Sequence, residues 1–307
     1  MKLLTTLLAL TLLLGAGGAA SAQPFAAGQI VANAARVPPQ PDFPYEQLQL
    51  FSPTGAFLRS LGSPSTIYFT DFLTTPAGEL LGAAGAIWRI GPDGSRSAPV
   101  PPLIGASNDA QFFTMDAAGN LYLAQTFEVE KFSPAGVRLA TYPVAFAMHG
   151  IDLAADQCTL FYIAGSGIGT YNVCTAQPGV TFPSLPGAYM VRVLPDGSVL
   201  ILSNGGIRRF SPSGTLLREY GAGGVFDLTP DASAAIFLSG GNIVRLDLSS
   251  GATQVLAATG EISFSGVGVI RGYRAALVAA APVPALSTCV LVGLAAMLAM
   301  FACVRLS

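Results

Sequence analysis

The 307-residue sequence predicts an all-β protein of six four-stranded repeats closed into a ring, and three observations lead there. The first is a recurring turn: Phe51-Ser52-Pro53-Thr54-Gly55, Ile90-Gly91-Pro92-Asp93-Gly94, Phe132-Ser133-Pro134-Ala135-Gly136 and Phe210-Ser211-Pro212-Ser213-Gly214, with degenerate copies ending at Gly179 and Gly251. Successive glycines in this set are spaced by 39, 42, 43, 35 and 37 residues. Serine at the first position, proline fixing φ at the second and glycine at the fourth are what a type I turn selects. The second observation is an interleaved turn: Thr75-Pro76-Ala77-Gly78, Asp116-Ala117-Ala118-Gly119, Ala154-Ala155-Asp156-Gln157, Leu194-Pro195-Asp196-Gly197 and Thr229-Pro230-Asp231-Ala232, with a weaker sixth copy around Arg271-Gly272-Tyr273-Arg274. The third is the apolar runs between turns. Phe112-Phe113-Thr114-Met115 and Leu121-Tyr122-Leu123-Ala124 have strand lengths, and residues 45–280 carry no sustained helical period.

An inner hairpin around the second turn followed by an outer hairpin around the first makes one propeller blade, so six copies of each predict a six-bladed β-propeller. The array starts on an outer hairpin at residues 45–60 and ends on an inner one at residues 262–280. Pairing of these N- and C-terminal hairpins is expected to build the last blade and remove exposed strand edges.

In chain order, Met1-Lys2, an apolar run over residues 3–14 and Ala20-Ser21-Ala22 read as a secretory signal peptide, residues 1–22. Residues 23–44 read as an N-terminal extension, residues 45–280 as the propeller, and residues 281–288 as a linker. Residues 285–304 carry no charge, enough chain at about 1.5 Å per residue for a transmembrane helix across a hydrocarbon core of about 30 Å. Cys289 and Cys303 within it read as small apolar fillers. Arg305 then opens a cytoplasmic tail, residues 305–307.

Cys158 and Cys174 are symmetric about residue 166, inside the turn-forming stretch Ala164-Gly165-Ser166-Gly167. If strands 159–164 and 168–173 pair across that turn, the two cysteines face each other at the open end of a hairpin. A disulfide there suits an exported protein and is worth up to about 3 kcal/mol by the chain-entropy argument.

Charge narrows the functional classes. Charged residues are only 10% of the chain, the net charge is -2, and Lys2 and Lys131 are the only lysines. That excludes a disordered chain and a duplex-binding protein, so no nucleic-acid partner is expected. C-x-x-C and G-x-S-x-G motifs are absent from the propeller region. Aligning the repeats on their second turns places Thr70, Gln111, His149, Tyr189 and Gly224 at the starts of the innermost strands, with Asp71, Asp109, Asp152 and Asp227 nearby. His149, the only histidine, is the catalytic candidate as a general base; the competing interpretation is a hydrogen-bonded histidine at a strand end. The binding candidates at the channel mouth are Asp71, Asp109, Gln111, Asp152, Tyr189 and Asp227.

The run Asp116-Ala117-Ala118-Gly119-Asn120-Leu121-Tyr122-Leu123-Ala124 resembles NHL and streptogramin-lyase-like propeller repeats, a likeness spanning most of residues 45–280. Streptogramin lyases imply a histidine working with acidic and metal-binding groups. Gluconolactonase-like propellers imply a divalent cation held by Glu, Asn and Asp; Asp71, Asn108, Asp109 and Asp227 would contribute, but no glutamate stands at an inner-strand start. Val283-Pro284-Ala285-Leu286-Ser287, followed by the apolar segment and an arginine, resembles the IPTL-CTERM class of sorting signals, related to PEP-CTERM. Val283 and Ala285 stand where Ile and Thr are usual. The resemblance implies an exosortase-type protease as partner, cleavage near the motif and transfer of the body to the cell envelope or exterior. A GPI signal is the minor alternative. The resulting expectation is an exported, membrane-anchored or surface-sorted binding module for a protein or carbohydrate, without catalysis or cofactor. The alternatives are a metal-dependent hydrolase or lyase, with a divalent cation at the channel mouth, and a purely structural envelope protein.

Overall fold

The computed structural model describes residues 24–36, 45–65, 67, 69–75, 77–97, 111–125, 127–144, 149–165, 167–258 and 263–270. The first strands, β1 (Ile30–Arg36), β2 (Tyr45–Phe51) and β3 (Phe57–Ser65), belong to the blade that closes the ring. Blade one is β4 (Asp71–Thr74), β5 (Leu80–Ala83), β6 (Ile87–Ile90) and β7 (Arg96–Ser97). Blade two is β8 (Phe113–Met115), β9 (Leu121–Ala124), β10 (Val129–Phe132) and β11 (Arg138–Tyr142). Blade three is β12 (Ile151–Leu153), β13 (Thr159–Ala164), β14 (Gly167–Asn172) and β15 (Gln177–Thr181). Blade four is β16 (Met190–Val193), β17 (Val199–Ser203), β18 (Gly206–Phe210) and β19 (Leu216–Glu219). Blade five is β20 (Phe226–Leu228), β21 (Ala234–Ser239), β22 (Asn242–Asp247) and β23 (Thr253–Ala258). The last strand, β24 (Ser263–Val269), completes blade six in the order β24-β1-β2-β3. The innermost strands follow one another around a closed circle, β24 against β4 and β20 against β24. The described residues are thus an all-β six-bladed propeller, and none of them is helical.

Closure differs from the expected pairing of hairpins. Three strands come from the N-terminal side and one from the C-terminal side. The added strand, β1, lies inside the segment read as an extension, and it pairs with β2 on one side and β24 on the other. Its side chains alternate as a strand's must. Ile30 and Ala32 pack with Ile236, Leu238 and Ile243 of blade five, whereas Val31 packs with Phe69, Phe72 and Leu80 on the blade-one side. Ile30 opposes Val269, and the Ile270 and Gly28 backbones exchange bonds with Gln29 and Ile270 across the seam. The sixth inner turn is split between the two ends: Ala26-Ala27-Gly28-Gln29 repeats Ala117-Ala118-Gly119-Asn120, with Gly28 left-handed at φ 83°, and Ile270 stands where Asp116 does, so the turn forms without a continuous chain. The Arg271–Arg274 copy, the linker, the transmembrane segment and the sorting motif lie outside the described residues.

Both turn types fold locally as their sequences dictate. In the outer turn the Gly55 N–H donates to the Ser52 carbonyl at 2.9 Å, and the Ser52 hydroxyl accepts the Ala56 N–H at 3.0 Å; Ser133 and Ser211 repeat the pattern. Glycine is needed for a second reason, close approach. A methyl group on Gly94 would lie 1.9 Å from the Gly62 nitrogen of the adjoining blade, and one on Gly55 would lie 2.4 Å from the Leu256 carbonyl. One outer turn was misplaced by sequence. In blade three the chain reverses over residues 173–176 with Ala176 at φ 55°, while Gly179 sits in β15 beside Thr170. The Asn172 side chain replaces the serine, accepting the N–H groups of Cys174 and Thr175 at 3.0 and 2.8 Å.

Cys158 and Cys174 form the disulfide, with Cα atoms 5.2 Å apart. The ladder is centred between residues 165 and 166, so Val173 rather than Cys174 donates to the Cys158 carbonyl and the bridge crosses diagonally. It staples one blade at its outer turn. Replacing both cysteines by serine is expected to lower stability by about 3 kcal/mol, the value for a loop of this size. Chemical denaturation with and without reductant checks this: reductant should shift the unmodified protein and leave the double variant unchanged.

Candidate functional site

The inner strands enter the channel at one mouth and leave it at the face carrying both turn types. At the entry mouth Thr70 donates its hydroxyl to the Gln111 carbonyl. His149 and Tyr189 lie with ring centroids 5.3 Å apart, and Phe112 meets Tyr189 edge-on at 5.1 Å. The buried Nδ1 of His149 has no hydrogen-bond partner among the described residues. Burial therefore pushes the imidazole below its usual value and favours the neutral ring. Burial, then the charge of Asp71, pushes the Tyr189 phenol up. Asp109 and Asn108 lie outside the described residues.

His149 carries a pH prediction. A histidine with a depressed folded value binds fewer protons folded than unfolded, so stability falls as pH drops through the ordinary histidine range. His149→Phe is expected to flatten the slope of unfolding free energy between pH 7 and pH 5 relative to the parent protein. Superimposable slopes from paired denaturation series would contradict the burial argument.

Deeper in the channel, Arg192 of β16 donates through Nε to Asp227 at 3.1 Å, through a terminal nitrogen to Asp71, and through the other to the Val191 carbonyl at 3.1 Å. Arg192, Asp71 and Asp227 are all buried. Three aspartates on alternate blades also clasp the next inner strand: Asp71 accepts the Phe113 N–H at 3.4 Å, Asp152 the Val193 N–H at 2.8 Å, and Asp227 the Val269 N–H at 2.9 Å. Asp152 further accepts the Leu153 N–H and the Thr114 hydroxyl, both at 2.9 Å. Burial pushes the Asp71 carboxyl up, against the pull of Arg192 and of its backbone donors.

At the turn-face end the channel widens into a cavity of about 280 Å³ to which all six blades contribute. Its polar wall includes Asp152, Thr114, Arg192 and Asp227; its apolar wall includes Leu73, Met115, Leu153 and Val193. The structure thus brings Asp152 and Asp227 to one cavity. His149, Tyr189 and Gln111 do not line it, and Asp71 lies behind Arg192. Sequence reasoning missed Arg192 and Thr114. A signal was present: Thr114, Asp152, Arg192 and Asp227 each stand five residues before the left-handed position of the inner turn, at Gly119, Gln157, Gly197 and Ala232.

Fold and site together define a six-bladed β-propeller whose channel is braced by buried charge and ends in a small cavity. No protein-family model and no curated protein matches the sequence. Among solved structures, a gluconolactonase from Xanthomonas campestris is 14% identical with a TM-score of 0.54, over 67% of this chain and 82% of that one. The Pan2 WD40 domain of Neurospora crassa is 9% identical with a TM-score of 0.50, over 73% of this chain and 78% of that one. At these identities the likeness is one of fold.

Proposed function

We propose that the protein is a non-catalytic binding module, exported and anchored at or released from the cell envelope, whose ligand enters the cavity at the turn-face end of the channel. The observation that supports binding over catalysis is the use made of the channel carboxylates. Asp71, Asp152 and Asp227 each hold the backbone of the adjoining blade, and two of them also hold Arg192. His149 stands three residues before Asp152, about 10 Å along an extended strand, and contributes nothing to the cavity wall. A general base at His149 is therefore separated from Asp152, the acid that faces the cavity. The apolar ends of the sequence support export and anchoring.

The test is a thermal-shift screen of the full-length chain against sugars and short peptides. A ligand is expected to raise the melting temperature in the parent protein and to lose that effect in Ala155→Trp, which fills the rim from an exposed position. Shifts that persist unchanged in Ala155→Trp would overturn the cavity as the site. Divalent-cation-dependent hydrolysis abolished by His149→Ala would overturn the non-catalytic assignment.

A further inference from the structure

Resting on the cavity just described, we infer that it selects a small organic ammonium ion with an apolar body. Most of the charges around it are already matched. Asp116 at the rim is paired with Lys131 at 2.9 Å. Arg192 is shared between two carboxylates, Asp71 and Asp227. Asp152 faces the same space half-buried, and its three donors, the Leu153 and Val193 N–H groups and the Thr114 hydroxyl, are all neutral. An ionised carboxylate offers about four acceptor positions, so Asp152 keeps a direction open for a further donor. The cavity consequently holds more negative than positive charge, which disfavours an anionic ligand and favours a cation.

The kind of cation follows from the rest of the wall. A metal ion requires several hard ligands converging on one point. No three histidine, cysteine or acidic side chains converge in that way among the described residues. One open carboxylate direction beside a hydroxyl instead suits the directional N–H donors of an ammonium group. Leu73, Met115, Leu153, Val193 and Val269 supply a surface for a hydrocarbon chain, and the volume of about 280 Å³ limits its size.

Calorimetric titration of the full-length chain with three probes of equal size, butylammonium, 1-butanol and butyrate, tests the inference. Butylammonium is expected to bind at least tenfold more tightly than 1-butanol, with butyrate weakest. Asp152→Asn should remove that preference. Ala155→Lys, at an exposed rim position that does not depend on the clasp, should remove it as well. Equal binding of the probes, a preference for butyrate, or a preference surviving Ala155→Lys would overturn the ammonium assignment. If sugars still shift the melting temperature through the cavity in that case, the binding-module proposal stands while this one falls. If no probe of any charge binds, this inference falls; if no sugar or peptide shifts the melting temperature through the cavity either, both fall.

Discussion

A chain beginning at Val37, and so lacking β1, is expected to lose its cooperative unfolding transition and its near-ultraviolet circular dichroism. β1 lies between β2 and β24, with register partners along its whole length on the β2 side. Ile30 and Val31 are essentially inaccessible to solvent. Full burial of such side chains is worth about 1.5–3 kcal/mol each, before the ladder bonds on both sides and the two edges left bare are considered. A domain is stable by only about 5–15 kcal/mol in all, so the sum exceeds what the remaining blades can spare. Ile30→Ala gives a graded version, with an expected loss of about 2–5 kcal/mol in denaturant titrations. Retained cooperativity in the truncated chain would show that the ring closes without its seam strand.

Arg192→Met is the second large effect. The substitution keeps an apolar chain of similar length but leaves Asp71 and Asp227 buried without their guanidinium, a loss of about 3–5 kcal/mol for a broken buried pair. Its pH dependence has a definite sign. Burial already raises the folded-state value of Asp71 above the ordinary 3.8, and removing the arginine raises it further. A carboxyl with a raised folded value binds more protons folded than unfolded. Its stabilisation is complete below the ordinary carboxylate range and is lost as pH climbs through the raised value. The deficit of Arg192→Met should therefore be largest at neutral pH and shrink on acidification to pH 5. The triple variant with Asp71→Asn and Asp227→Asn should recover much of the loss at pH 7, since no buried charge is then left unpaired. A deficit that grows on acidification would contradict the ion-triad account.

The blade count was legible because the turns obey backbone chemistry that few residues satisfy. Ser-Pro-X-Gly is written by the left-handed fourth position and by the lack of room for a side chain beside the next blade, as at Gly94. The outer turn of blade three was misplaced at Gly179 because Ala176 takes the left-handed conformation without being glycine, with Asn172 fixing the turn instead. β1 was invisible for a different reason. Ile30-Val31-Ala32-Asn33-Ala34-Ala35-Arg36 is preceded by only the second half of an inner turn, Ala26-Ala27-Gly28-Gln29, whose first half comes from Ile270 at the far end of the propeller, and it runs into the proline-rich stretch Pro38-Pro39-Gln40-Pro41, so the signal is incomplete until the two ends meet. At the site, Asp71, Asp152 and Asp227 stood out as charges near the starts of strands. Their clasping of neighbouring blades did not, because it depends on backbone N–H groups about 40 residues downstream.

The seam has a consequence for biogenesis. Ile30 meets Val269, so β1 to β3 are synthesised first and wait for a partner that is made last. At about 5–20 residues per second that delay is on the order of tens of seconds. Throughout it the nascent polypeptide carries an unpaired inner edge, the kind of surface on which chains associate with one another. A stop codon or stalled ribosome ahead of residue 263 would thus release an open arc with a sticky flank, and a chaperone acting on the emerging chain would have that flank to shield.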